Sequence, residues 1–517
     1  MPENRLPPGR TRRLAEFLAW ALLFGLAYGQ SPLYTSNQNQ YFLHGAARAG
    51  IGDLARDWLA NTVDSVPLFS LIVEAVYRSL PAAAFYLIYL AVLGIYLFSL
   101  VDIGAHLFDL GRPATRRFFL AGLILVHSAA LRFALTRLLG PAWDYGFDGG
   151  VAGQRLLGPV LQPSCFGVLL LLSVALFLRR RPYLAVTAAV TAASLHPTYL
   201  LSAATLTLAY LWILWREDHT WRTTLTLGLL ALTLVAPITL YVALELGPTS
   251  ARASAEAQAI LVDIRIPHHA QVAQWLDTTV LFKLALIAAG LGLARRTRLF
   301  SILLISLFVA LGLTALQVAT DNSSLALLFP WRLSTVLVPL ATGLLAAWAA
   351  ARATEAILPR LGSREKLLAV PSWGLAAALA LAGVGRFVID RRQMQTDPAR
   401  PMMAFVAASR RAGDLYLIPP RLQEFRLATG AAALVDFKSI PYRDVEVLAW
   451  YERERLAEWF YRDRIEYVDC GLLARFQAEY GVTHVVLDAN LLELTCPAFG
   501  PPLFADEHYA VLALVSQ

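Results

Sequence analysis

The chain has 517 residues, with 44 Lys and Arg against 37 Asp and Glu, for a formal net charge of +7. Hydrophobic residues make up 57% and charged residues 16%, where an ordinary soluble domain has about 45–50% and about 25%. This excludes a soluble enzyme, a disordered chain and a disulfide-stapled secreted module. The apolar runs are continuous rather than alternating, which argues against a membrane β-barrel. The basic balance is no argument for nucleic acid, because in a membrane protein an Arg excess is first a topology signal.

Apolar segments recur at 14–34, 81–101, 118–138, 158–178, 182–195, 198–215, 223–243, 280–294, 299–319, 333–351 and 370–390. A helix of about 20 apolar residues crosses about 30 Å of hydrocarbon. The pattern predicts about eleven membrane helices over residues 1–390. The first segment is read as a helix rather than a signal peptide, although Ala27-Tyr28-Gly29 resembles a small-residue cleavage site.

The stretch 182–215 decides the topology. As one helix it is too long for a bilayer. Broken at His196-Pro197, it becomes a short hairpin, since proline disfavours helix before it and suits the first turn after it. Both feet, Arg179-Arg180-Arg181 and Arg216 with Arg222, are basic. With the hairpin in place, loops on the N-terminal side carry 19 Lys and Arg, and the opposite loops carry 7. The bias places the N-terminus in the cytoplasm and the C-terminus outside, which is the periplasm of a bacterial inner-membrane protein.

Residues 391–517 hold 31 charged residues in 127. They read as one exported α/β domain. DLYLIPP, AAALVDF and YAVLALV predict strands. DVEVLAWYERERLAEWFYR predicts a helix, and RFQAEYGVTHVVLD a helix, a Gly turn and a buried strand. Cys470 and Cys496 lie in this exported part, either as a disulfide or as two buried thiols, while Cys165 reads as a packing residue. There is no GxGxxG, no P-loop and no zinc-like cluster.

Polar residues concentrate in the outer loops. The first, 35–80, holds TSNQNQYFLHG, Asp57, Asp64 and PLF. The second holds WDYGFDGG with Asp144 and Asp148. Later loops hold Asp263, Arg265, His268 and His269, then FPWRLS with Arg332. His127, Arg132 and Arg137 lie in the third apolar segment, and His196 at the hairpin tip. An ionisable group at membrane depth is costly and marks function by default. Each has a plainer reading. Asp57 and Asp64 suit helix capping, Arg332 suits snorkelling to the interface, His196 suits broken backbone groups, and Arg132 with Arg137 can simply line their helix. Adjacent histidines point to different faces, so His268 and His269 make a weak metal pair.

This arrangement resembles the C class of glycosyltransferases (GT-C), polytopic enzymes that use lipid-phosphate-linked sugars. TSNQNQY stands where that class carries its acidic motif, SVPLFSLIVEAVYRSL resembles its later Pro-Leu segment, and FPWRLSTVLVP resembles the Arg-bearing mouth of a late helix. Bacterial membrane proteins with the same HPTY and PHH segments look like closer relatives. The resemblance implies transfer from a polyprenyl-phosphate-linked sugar at the outer membrane face. It implies membrane lipids as partners, no nucleic acid and no resident cofactor; a divalent metal fits the class but the residues do not indicate one. One departure matters: Asn37, Gln38, Asn39 and Gln40 replace the acids, and an amide is no general base. Catalysis is then expected from Asp57, Asp64 and His196, and substrate binding from Asn39, Gln40, Asp148, Arg265, His268, His269 and Arg332. The alternatives are a transporter or flippase, and an inactive scaffold in envelope polysaccharide assembly. A transporter is expected to show matching broken helices in two halves, and only one break is legible.

Overall fold

The computed structural model describes residues 10–219, 221–361, 369–462, 468–489 and 496–515. Arg5, Arg364 and Lys366, which enter the loop charge count, lie outside these residues, as does Arg464 of the tail.

All eleven apolar segments contain helix. Among the described residues six helices are long and apolar enough to cross a membrane, or seven if one bent pair counts as a span. The chain is therefore an integral membrane protein with fewer spans established than the eleven expected. Two segments differ from their expected form. The third is two helices, Pro113–His127 and Ala129–Leu139, bent by 48°. Ser128 adopts an extended conformation there, and its hydroxyl accepts from the Leu131 amide at 3.1 Å, capping the second helix. The fourth begins late. Pro163 opens a 3-10 turn to Gly167, and α-helix runs only over Val168–Leu178.

The hairpin breaks where expected. Helix Pro182–Leu195 ends at His196, which is extended, and helix Leu200–Asp218 follows a 3-10 turn. Proline cannot donate to the preceding turn, so the ladder stops there. The feet meet other loops. Arg179 pairs with Asp102, and Glu217 pairs with Arg298, whose Nε lies 2.8 Å from Glu217 Oε1. Arg180 adds a 3.8 Å contact to Glu217. Three of the basic loops thus share one end of the helical body. The opposite end is called the outer end.

The tail carries a five-stranded mixed sheet in the order β2-β1-β3-β5-β4, with β1 Leu415–Leu417, β2 Ala432–Ala433, β3 His484–Asp488, β4 Phe499–Ala505 and β5 Tyr509–Leu514. Strands β2, β1 and β3 run parallel, and β5 runs antiparallel to β3 and β4. Alternation splits the side chains between two faces. Val485 and Leu487 pack under helices Asp444–Phe460 and Cys470–Tyr480. Val486 packs on the other face under helix Arg400–Ser409 and the short helix Phe425–Thr429. The sequence missed β4, because Pro501 and Pro502 demote a strand. Its place at the sheet edge, with register shifts against β5, is where proline is tolerated. Cys470 and Cys496 form a disulfide, with Cα atoms 5.7 Å apart.

The tail sits on the outer loops. Gly52, at φ +58°, lies so close to Gly430 that a Cβ on it would come within 2.3 Å of the Gly430 carbonyl oxygen. The Asp53 amide donates to that same oxygen at 2.7 Å. The Val63 amide donates to Glu446, and the Thr249 amide donates to Asp444 at 2.7 Å. Arg453 covers the Trp58 ring at 3.9 Å.

Candidate functional site

Asp57 is not at a substrate cavity. It is 0% exposed, and both of its oxygens are taken. Oδ1 accepts from the amides of Leu59 and Ala60, at 2.9 and 3.3 Å. Oδ2 accepts from Arg426 Nε at 2.6 Å and from the Ala433 amide at 2.9 Å. Arg426 also pairs with Asp436. A carboxylate in this state has no free lone pair for an acceptor hydroxyl, so the general-base expectation gives way to a structural role.

Asp64 is tied into the loop that leads to a helix. Its Oδ1 accepts from the Val66 amide at 3.0 Å, just before helix Pro67–Ser79, and its Oδ2 lies 3.2 Å from Arg48. It borders a narrow cleft with His44, Tyr41 and Tyr442. Asp148 lies apart, within electrostatic reach of Lys283, Arg132 and His127, and its buried Oδ2 has no partner.

The remaining predicted residues converge. The short helix Gln38–Tyr41 presents Gln40, whose amide donates to the Tyr442 hydroxyl at 2.9 Å. Asn39 is buried with neither its amide oxygen nor its amide nitrogen bonded. The Tyr41 ring meets the His196 ring edge-on at 6.0 Å, and His196 meets Tyr199 at 5.4 Å. Arg332 lies over Tyr199 at 5.4 Å. It is set there by the 3-10 turn Pro330–Leu333, which follows Phe329 in the left-handed region. Arg332 Nε and His196 Nδ1 are buried without a partner.

Arg265 closes the cluster from the third outer loop. It ends a π-helical turn, Ile260–Arg265, an element often found at functional sites. Its Nη2 donates to the Lys438 carbonyl at 2.6 Å and its guanidinium lies 5.1 Å over Phe437, while Nε has no partner. Lys438 is pushed down to about 8 by burial and by the nearby Arg265 and Arg155. Among the described residues no carboxylate forms an ion pair with Arg155, Arg265, Arg332 or Lys438. Asp436, two residues from Lys438, is taken up by Arg426 and by the Ser439 amide.

His269 is a positioning group rather than a ligand. Burial, with His268 adding to it, pushes its imidazole down to about 3. The neutral ring bonds through Nδ1 to the Ala152 carbonyl at 2.7 Å. A Cβ on Gly153, at φ +62°, would come within 3.2 Å of that ring. Burial and Arg265 also lower His268. Among the described residues there is no group of three or more His, Cys, Asp or Glu that can hold a metal ion.

Arg155, Lys438, Tyr41 and Tyr442 were missed. Arg155 entered only the loop charge count, although it is the sole cation of its loop. Lys438 carries no local signal, because its role comes from the tail folding over the loops.

Three half-buried guanidiniums and a half-buried ammonium lie within electrostatic reach of one another or of the same neighbours, Tyr41 and His269, and such groups can hold a phosphate and steady charge that grows on it.

Residues 398–457 match a family described as a domain of unknown function, DUF6798. No curated protein matches the chain. Among solved structures the chain is similar to ArnT from Cupriavidus metallidurans, crystallised with undecaprenyl phosphate. The two are 14% identical, the match covers 98% of this chain and 99% of that one, and the TM-score is 0.48.

Proposed function

We propose that this integral membrane protein is a GT-C-like glycosyltransferase that takes a sugar from a polyprenyl-phosphate donor at the outer membrane face. One observation carries the reading: Arg155, Arg265, Arg332 and Lys438 gather beneath the tail, and among the described residues none of them forms an ion pair with a carboxylate. Half-buried cations gathered without ion pairs repel one another, and a phosphate supplies the opposite charge. In the reaction the acceptor oxygen bonds to the sugar C1 as the C1–O bond to the phosphate breaks. The phosphate takes the leaving electron pair and stays on the guanidiniums. The acceptor proton passes to His196, whose Nδ1 is unpartnered beside Tyr41 and Arg332. A divalent metal has no part in this scheme.

A second reading has its own observation. Amides stand at Asn39 and Gln40, and Asp57 is fully bonded. Amides at these positions, with Asp57 taken up by the tail, suit a lipid-phosphate-binding scaffold as well as a transferase.

The test uses purified protein with decaprenyl phosphate, and decaprenol as the uncharged control. The phosphate lipid is expected to bind and decaprenol is not. Arg332→Lys is expected to weaken binding about tenfold, because the ammonium loses the bidentate fork. Equal binding of the two lipids, or equal affinity of wild type and Arg332→Lys, removes the phosphate role. Retained binding with an inert His196→Gln in a sugar-release assay supports transfer. Retained release in that variant supports another base.

A further inference from the structure

A separate cavity of about 330 Å³ opens where the bent helix pair meets the end of helix Arg10–Tyr28 and helix Ala369–Gln395. Its walls include Tyr28, Arg132, Phe133, Asp144, Arg386 and Asp390. Arg386 and Asp390 pair with each other at 2.7 Å. The other two charges stay apart. Arg132 is 8% exposed, and its Nη2 donates to the Tyr28 carbonyl. Its Nη1 is buried with no partner. Among the described residues no cation and no donor bonds the Asp144 carboxylate. Burial holds that carboxyl above its usual range, despite Arg132 and Arg155 nearby.

The charge pattern differs from that of the basic cluster. Two cations and two acids balance, and one of each is free. Such a wall suits a ligand that carries an anion and a cation together. The cavity lies beside exposed apolar residues, Phe133 at 54% and Leu138 at 80%, which in a membrane protein contact acyl chains. The cationic end needs N–H donors rather than an aromatic cage. Arg132 already covers the Tyr28 ring at 4.2 Å, and Arg132 and Arg155 both lie over Tyr145, at 5.1 and 4.3 Å.

We propose that this cavity binds the phosphoethanolamine head group of a bilayer phospholipid, with the phosphate on Arg132 and the ammonium on Asp144. Arg155, over Tyr145 at 4.3 Å, lies between this cavity and the proposed donor site, and neither reading needs the other.

The experiment measures lipid retention by native mass spectrometry on full-length protein. Phosphatidylethanolamine, phosphatidylglycerol and phosphatidylcholine with identical acyl chains are offered in equal amounts. Phosphatidylethanolamine is expected to be retained about tenfold over the other two, the worth of one charge-assisted hydrogen bond. Asp144→Asn, a loop substitution of equal size, is expected to erase that preference while decaprenyl phosphate binds as before. Arg132→Lys is expected to weaken retention of phosphatidylethanolamine. Soluble phosphoethanolamine competes in a further arm. Displacement at a concentration similar to that of the lipid assigns the site to the free head group, and failure to displace assigns it to the membrane lipid. Equal retention of all three lipids, no retention of any, or an unchanged preference in Asp144→Asn overturns the proposal.

Discussion

Arg426 Nε donates to Asp57 Oδ2 at 2.6 Å, joining residues 369 positions apart. Both side chains are buried, and Asp436 takes the other side of the guanidinium. One cation and two carboxylates are thus closed off from water between the first outer loop and the tail. Such a network contributes little when whole, yet taking the charge from Asp57 leaves Arg426 paired to Asp436 alone and weakens the bonds that Arg426 and the Ala433 amide make to Asp57, at a cost of about 1.5–3 kcal/mol.

Asp57→Asn is therefore expected to loosen the tail rather than to stop chemistry. Limited proteolysis of the purified protein should cut the tail faster, and its thermal unfolding should begin earlier. Decaprenyl phosphate bound per intact molecule should stay unchanged. A variant as protease-resistant as wild type would show that the network does not hold the tail.

The second expectation concerns pH. Lys438 is pushed down to about 8 by burial and by Arg265 and Arg155, so its positive charge disappears as pH rises through that value. A phosphate ester is already dianionic above about pH 7, so the ligand does not change over the same range. Decaprenyl phosphate binding should fall between about pH 7.5 and about pH 9.5. In Lys438→Gln it should be weaker at the lower pH and flat across the range. An equal slope in the variant assigns the titration to another group.

Glu454 gives a third expectation, with the sign running the other way from a salt-bridged acid. It is 6% exposed, and burial, with Glu458 one turn away, raises its carboxyl to about 7. The folded state favours the protonated form. The stability this contributes is full below the ordinary carboxylate value near 4.5, and it is lost as pH rises through about 7. Glu454→Gln mimics the protonated acid. It should raise the melting temperature by a few degrees at pH 8 and leave it unchanged near pH 4.5. A loss at pH 8 would mean that the carboxylate has a partner of its own.

Topology is open to direct labelling. Single cysteines at Arg181, Arg216 and Thr297, in a Cys165→Ala background, are expected to react with a membrane-impermeant maleimide from the cytoplasmic side only. A cysteine at Ser323 is expected to react from the other side. Labelling of Arg181 and Thr297 from opposite sides contradicts the shared end seen in the Arg180–Glu217–Arg298 contacts.

What was legible in the sequence is what short-range physics decides. Apolar runs gave the helices, His196-Pro197 gave the hairpin break, and the strands β1, β3 and β5 followed from compact apolar runs beside turns. Strand β4 was hidden because its prolines read as breakers until an edge position is known. The site was half legible. Arg265 and Arg332 were found as cations in loops, and Asn39 as a departure from an acidic motif. Asp57 was misread because loop position suggests solvent, whereas its partner Arg426 comes from a part of the chain that no local pattern connects to it. Lys438 was invisible for the same reason.

The Asp57–Arg426 contact also sets an order of biosynthesis. The first outer loop emerges early, and its carboxylate has to wait through 369 further residues for its cation. During that interval the loop faces water with Asp57 hydrated and its final packing unformed. Translation that stops before the Phe425–Thr429 helix leaves the first outer loop without its clamp, so that surface reaches its mature form only after the tail has been made. A membrane protease that samples that surface would read the exposed loop as a record of incomplete synthesis.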